Sequence, residues 1–141
     1  MKIDTALFGA QEIDPNTLIE FPQGVPGFES CLQFKLMHQE GEEKAVCYLQ
    51  SIADAEVMFS LSEPNQFGLD YEITLSDEDV ELIDYQEDDV ILTLLPLIEE
   101  KDPNLPKIRA NIHAPFIINS RSRLGLQKNL LGPQGTITIK G

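Results

Sequence analysis

Short runs of alternating apolar residues, each followed by a turn, recur along the whole chain. Residues 33–38 (QFKLMH) and 57–62 (VMFSLS) alternate with the period of two that is typical of half-buried strands. About nine such runs are separated by segments rich in Pro, Gly, Asn and Asp. Many short strands joined by turns favour a sandwich or a small barrel. We therefore predict an all-β fold, an antiparallel sandwich or a small barrel.

One segment departs from this pattern and predicts a short helix near residues 76–84. Ser76 is followed three residues later by Asp79, which resembles a capping box. Asp77 and Glu78 would lie with Asp79 in the first turn, where the helix dipole favours anions. A short apolar stripe follows and would bury one face of this helix.

Two segments that contain proline and glycine are expected to shape the fold. Residues 21–29 (FPQGVPGFE) contain two prolines and two glycines, which predicts a stiff structural bend rather than a ligand loop. Residues 111–125 (NIHAPFIINSRSRLG) begin as an apolar strand and end in a turn with Arg121 and Arg123. Pro115 cannot donate to a ladder hydrogen bond, so it indicates an edge position, a bulge or a strand start.

The length of 141 residues predicts a single domain, residues 1–141. No apolar window is long enough to span a membrane, and the first residues lack the apolar core of a signal peptide. Two cysteines are too few and too widely spaced for a disulfide framework or a familiar zinc site. We therefore expect a cytoplasmic protein without membrane contact.

Signatures of catalysis are missing from the sequence. It contains no GxxxxGK[ST], GxGxxG, GxSxG or HExxH motif. Its two histidines, His38 and His113, suggest no catalytic dyad with an orienting third group. The acids at 77–89 lack the spacing of a calcium loop. We expect no enzymatic activity, no cofactor and no metal.

The charge is strongly acidic and unevenly distributed. A net charge of −14 argues against direct nucleic-acid binding. Through residue 102 there are 24 acids against 4 bases, a local net charge of −20, whereas six bases and no acid follow. This polarity predicts separate acidic and basic faces for different partners, unless folding mixes the two sets. The candidate partner-binding residues are Asp77, Glu78, Glu87, Asp88, Asp89, Asn119, Arg121 and Arg123.

Three segments together carry a family resemblance. Residues 21–29 (FPQGVPGFE), 64–67 (PNQF) and 111–127 (NIHAPFIINSRSRLGLQ) resemble, in order and spacing, the bacterial flagellar assembly factor family, FliW. The resemblance covers essentially the whole chain and implies a compact antiparallel barrel that acts as a monomer. It does not assign contact residues, because these motifs look chiefly architectural.

The resemblance also implies partner switching. Members of this family are cytoplasmic proteins that bind newly made flagellin and the carbon storage regulator, a small RNA-binding repressor of flagellin translation. When flagellin is exported, the freed factor captures the repressor and flagellin synthesis resumes. The alternative is a small β-barrel ligand-binding or enzymatic module of unrelated activity. A cavity in the barrel would favour that alternative, whereas a filled interior favours a protein-binding role.

Overall fold

A computed structural model describes residues 1–38, 46–68, 70–99, 101, 103–104, 108–130 and 137–140. Within these residues the chain forms twelve β-strands: β1 (Lys2–Thr5), β2 (Gly9–Glu12), β3 (Ile19–Glu20), β4 (Gln33–His38), β5 (Val46–Ser51), β6 (Met58–Ser62), β7 (Asp70–Ile73), β8 (Ile91–Glu99), β9 (Ile108–Ala110), β10 (Phe116–Asn119), β11 (Leu124–Gln127) and β12 (Ile137–Lys140). A single α-helix in this part of the chain, α1 (Asp77–Leu82), lies between β7 and β8. Short 3-10 turns cover Pro15–Thr17 and Pro64–Phe67.

Seven of these strands close into a barrel. The hydrogen-bonded order is β10-β11-β3-β4-β5-β6-β8, and β8 pairs with β10 to complete the ring. The pairings are antiparallel, except that β11 runs parallel to β3 where Leu124 lies opposite Glu20. The prediction of a barrel-like, mainly antiparallel all-β fold with one short helix is confirmed, although the parallel pair was not expected.

Aromatic side chains fill the barrel interior. Phe21, Phe34 and Phe116 are fully buried. The ring of Phe21 meets Phe34 and Phe116 edge to face, with centroids 5.2 and 5.9 Å apart. Such pairs contribute about 0.5–1.5 kcal/mol beyond the burial of apolar area. In the described part of the chain the interior is therefore occupied by side chains of the protein itself.

Strand β10 is buried on both faces, which explains its uninterrupted apolar sequence. Phe116 and Ile118 belong to the cluster inside the barrel, whereas Ile117 packs outside it with Ile83 and Leu126. Ile83 is the C-cap residue of α1, so this second cluster joins the end of the helix to the sheet. The helix therefore shields the outer face of β10 and β11.

The strand predicted from residue 111 onward begins later. Residues 111–115 form a loop, and β10 starts at Phe116, directly after Pro115. Pro115 therefore marks a strand start, one of its three expected roles. On either side of the loop, Ala110 lies opposite Leu97 and Phe116 lies opposite Leu94. Between these two pairings, strand β8 has two residues, whereas the segment opposite it has five, residues 111–115.

A buried glutamine joins the β1–β2 hairpin to the barrel. Gln50 is fully buried, and its Oε1 accepts a hydrogen bond of 2.9 Å from the Ala6 N–H. Its Nε2 donates to the carbonyls of Ser51 and Ala55 at 3.0 and 3.1 Å. The polar groups of Gln50 are thereby satisfied, so burying it carries little penalty. Strand β2, the second strand of this hairpin, was not predicted from the sequence.

Candidate functional site

The helix α1 forms where the capping pattern predicted it. The Ser76 Oγ accepts a hydrogen bond from the Asp79 N–H at 3.1 Å, and the Asp79 carboxylate accepts one from the Ser76 N–H at 3.0 Å. This reciprocal box starts the helix, and a positive φ of 51° at Asp84 follows its end. The first-turn residues Asp77 and Glu78 are exposed, so the helix presents carboxylates to solvent.

The acidic loop after α1 faces the basic turn after β10. The Arg121 Nε donates to Asp89 Oδ1 at 2.8 Å, and its Nη2 donates to the Asp84 carbonyl at 2.5 Å and to Asp84 Oδ2 at 3.2 Å. These contacts join residues 84–89 to residues 119–123, and we call this arrangement the loop clamp. The charge pattern predicted separate acidic and basic faces unless folding mixed the two sets of residues. At the loop clamp the two sets are mixed, because Arg121 lies between Asp84 and Asp89.

Asn119 lies beneath the loop clamp and is completely buried. Its Nδ2 donates to the Ile83 carbonyl at 3.1 Å and to Asp89 Oδ2 at 2.9 Å. Its Oδ1 accepts a hydrogen bond from the Arg121 N–H at 3.1 Å. The side chain therefore positions both loops from below, whereas its prediction as a partner-binding residue placed it on the surface.

The clamp keeps Asp89 ionised. The hydrogen bond from Arg121 lowers the pKa of Asp89 to about 2, against the opposing effect of desolvation. The Asn119 amide and the Gln86 N–H act in the same direction as Arg121. The pKa of Arg121 is raised by its hydrogen bonds to Asp89 and Asp84. Both partners remain charged throughout the physiological pH range.

The two clamped loops hold unusual backbone conformations. Asp84, Asp88 and Arg123 have φ values of 51°, 74° and 57°, a region that residues other than glycine rarely adopt. These are the non-glycine residues with positive φ in the described part of the chain. Such conformations persist when surrounding contacts determine them, and they concentrate at binding and active sites. The clamp therefore holds together the two loops that carry the exposed residues Asp88, Glu87 and Arg123.

A second ion pair joins α1 to the segment after β11. The Lys128 Nζ donates to the Asp79 carboxylate, and the two side chains are 11% and 15% exposed. Burial alone would raise the pKa of Asp79, but the hydrogen bonds from Lys128 and Ser76 lower it overall. Lys128 was not among the predicted site residues, because nothing local in the sequence links it to a residue 49 positions away.

Residues suited to catalysis or metal binding are not gathered at this site. In the part of the chain that the structure describes, no three His, Cys, Asp or Glu side chains are placed to hold a metal ion. Burial, reinforced by the nearby Glu63 carboxylate, raises the pKa of the Cys47 thiol to about 11. A thiol in that state is a poor nucleophile at neutral pH. The described residues of this site form a charged surface joined by ion pairs.

Comparisons with known proteins agree with this architecture. The family model described as FliW protein matches residues 2–139. The flagellar assembly factor FliW of Azoarcus sp. (strain BH72) is 42% identical over 94% of both chains, and that of Chromobacterium violaceum is 38% identical over 91% of this chain and 92% of the relative. A crystal structure of the flagellar assembly factor FliW superposes with a TM-score of 0.81 at 31% identity, covering 96% of this chain and 93% of the other.

No helix among the described residues has the length and apolar character needed to cross a membrane. The match to the family model spans nearly the whole chain, and the fold agrees with a solved member at significant sequence identity. The resemblance seen in the sequence motifs is thereby confirmed. The chain belongs to the FliW family of flagellar assembly factors.

Proposed function

We propose that this chain is a cytoplasmic, monomeric and non-enzymatic regulator that binds either flagellin or the carbon storage regulator. Binding to the repressor would release the flagellin message for translation, and binding to flagellin would occupy the factor until flagellin is exported. The filled barrel interior supports a role at the protein surface over the alternative of a ligand-binding or enzymatic module.

The observation that carries this proposal is the acidic surface formed by α1 and the loop after it. Between Lys44 and Lys101 the sequence contains no lysine or arginine. On α1 and in the following loop, five carboxylates are exposed and have no ion pair within the described residues: Asp77, Glu78, Glu81, Glu87 and Asp88. A protein that binds RNA must present a basic surface, and this one is complementary to it in charge.

The direct test is co-purification of the untagged chain with tagged flagellin and with the tagged repressor, singly and together. We expect a complex with each partner alone. Added flagellin should displace the repressor from the chain, because one factor is proposed to serve both in turn. A chain that binds neither purified partner would refute the proposal, and a stable complex of all three would refute the switching step.

The acidic surface should accelerate encounter with the repressor through long-range attraction. Raising NaCl from about 50 to about 500 mM should lower the association rate constant about tenfold or more, because exposed charges are screened within about 10 Å at 0.1 M salt. Stopped-flow fluorescence measures this rate, and the dissociation rate from the same complex serves as the internal comparison. An association rate indifferent to salt would show that apolar contacts dominate the encounter.

Arg123 is the base in the clamped loops that is available to a partner. Its side chain is exposed and makes no ion pair within the described residues, whereas Arg121 is held by Asp84 and Asp89. We expect Arg123→Ala to weaken flagellin binding about tenfold, since a guanidinium offers a planar fork to carboxylates. Isothermal titration measures the affinity.

Lys2→Ala is the matched control for Arg123→Ala. It removes one positive charge from an exposed position on β1, in a different sheet. Circular dichroism should show both variants folded. If the two variants lose the same small amount of affinity, Arg123 acts only through net charge and is not a contact residue.

A further inference from the structure

Three surface depressions beside α1 share lining residues, and we refer to them together as the groove. Their volumes are about 180, 220 and 350 Å³, and Gln127 lines all three. The groove is bounded by the bend at 21–29, by α1, by residues 125–129 and by the loop at 111–114. Two of the three segments that carry the family motifs therefore contribute to a single surface feature.

Amide side chains dominate the chemistry of this groove. Gln23 lines the first two depressions, beside α1, Gln127 lines all three, and Asn129 lines the second and the third. The Nε2 of Gln127 donates to the Ala114 carbonyl at 3.0 Å, which fixes the orientation of its amide. An amide both donates and accepts hydrogen bonds, as does a peptide backbone. Leu82 adds an apolar surface suited to a side chain.

The free charge in the groove is negative. Glu29 on the bend and Glu78 on α1 are both exposed and line it. The one lysine of the lining, Lys128, is already paired with Asp79. His113 lies at the far end, in the third depression. The Glu29 carboxylate accepts a hydrogen bond from the Gly27 N–H at 3.1 Å, and neither it nor Glu78 has an ion pair within the described residues. A segment entering beside α1 would therefore meet two carboxylates whose charge is not neutralised there, which favours a cationic side chain.

We infer that this groove binds an extended segment of a protein partner that carries a lysine or arginine side chain. The inference rests on the proposed function, in which the RNA-binding repressor is the partner whose chemistry requires basic residues. The groove is built largely from a stiff bend, a capped helix and a β-strand end. Little ordering of this chain is therefore needed on binding, which reduces the entropic cost.

The test uses a matched pair of charge reversals on one helix. Glu78 and Glu81 are both exposed on α1, but only Glu78 lines the groove. Glu78→Lys should weaken binding of the purified repressor at least tenfold more than Glu81→Lys, as measured by isothermal titration at constant salt. Both variants should bind flagellin like the wild type. Thermal unfolding checks that Glu78→Lys is folded, because a lysine in the first turn opposes the helix dipole.

A steric variant tests the same groove without a change of charge. Gln23→Trp should obstruct the groove and abolish repressor binding, whereas Gln66→Trp, at an exposed position on the 3-10 turn Pro64–Phe67, should not. The inference is overturned if Glu78→Lys and Glu81→Lys weaken repressor binding equally and Gln23→Trp and Gln66→Trp do so too. The proposed function would then still stand. Loss of flagellin binding instead would assign the groove to the other partner. If the wild type binds neither protein, the proposed function fails and this inference fails with it.

Discussion

Replacing Asn119 with alanine is expected to destabilise the fold by about 2–4 kcal/mol. The side chain is completely buried and connects the end of α1, the loop at 84–89 and the turn at 119–123. Its removal deprives the Ile83 carbonyl of one of two side-chain hydrogen bonds, the other coming from the Ser122 hydroxyl at 2.7 Å. It also removes the amide's bonds to the Asp89 carboxylate and the Arg121 N–H, and it leaves space for a small cavity. Each lost hydrogen bond costs about 0.5–1.5 kcal/mol, and more where a charged group is involved. Urea unfolding of the variant and the wild type measures the difference.

The neighbouring Ser120 provides the control. Its hydroxyl donates to the Val90 carbonyl at 2.9 Å from an exposed position, so Ser120→Ala should cost less than about 1 kcal/mol. The Asn119 variant should also lose order in the loop clamp, because the amide holds both Asp89 and the Arg121 backbone. A loss of less than about 1 kcal/mol for Asn119→Ala would show that the loops do not depend on this amide.

The periodicity of the sequence predicted the architecture because it reports which faces are buried. The strand predicted at 33–38 is β4, and the strand predicted at 57–62 is β6 within one residue. Strand β2 has the sequence GAQE and is mostly exposed, so no apolar alternation marks it. The parallel contact of β11 with β3 joins Leu124 to Glu20, and no local pattern encodes a pairing across that distance.

The candidate site was only partly predictable for the same reason. Local rules located α1, its cap and its exposed acids, because capping acts between residues three apart. The loop clamp depends on Arg121 meeting Asp84 and Asp89, which are 37 and 32 positions away in the chain. Charges separated along the sequence are here brought together by the closure of the barrel. The burial of Asn119 was not predicted, because two of its hydrogen-bond partners, Ile83 and Asp89, lie 36 and 30 positions earlier in the chain.

The bend at 21–29 should be sensitive at Gly24, where alanine is expected to cost about 2–4 kcal/mol. Gly24 has a φ of 72°, which strains any L residue. A Cβ there would also lie 2.8 Å from the Cα and 2.9 Å from the carbonyl oxygen of Glu29. These are backbone atoms, so relief requires the bend to open. Thermal and urea unfolding of Gly24→Ala measure the loss.

Gly27→Ala separates the two causes of that loss. Gly27 has a φ of 88°, but a Cβ there would meet no atom within 4 Å, so only backbone strain of about 1–2 kcal/mol is expected. A larger loss at Gly24 would show that its close approach to Glu29 holds the bend shut over buried Val25. Equal losses would mean that the Glu29 backbone moves aside readily. A Gly24 variant of wild-type stability that no longer binds a partner would make the bend a contact loop, contrary to its predicted structural role.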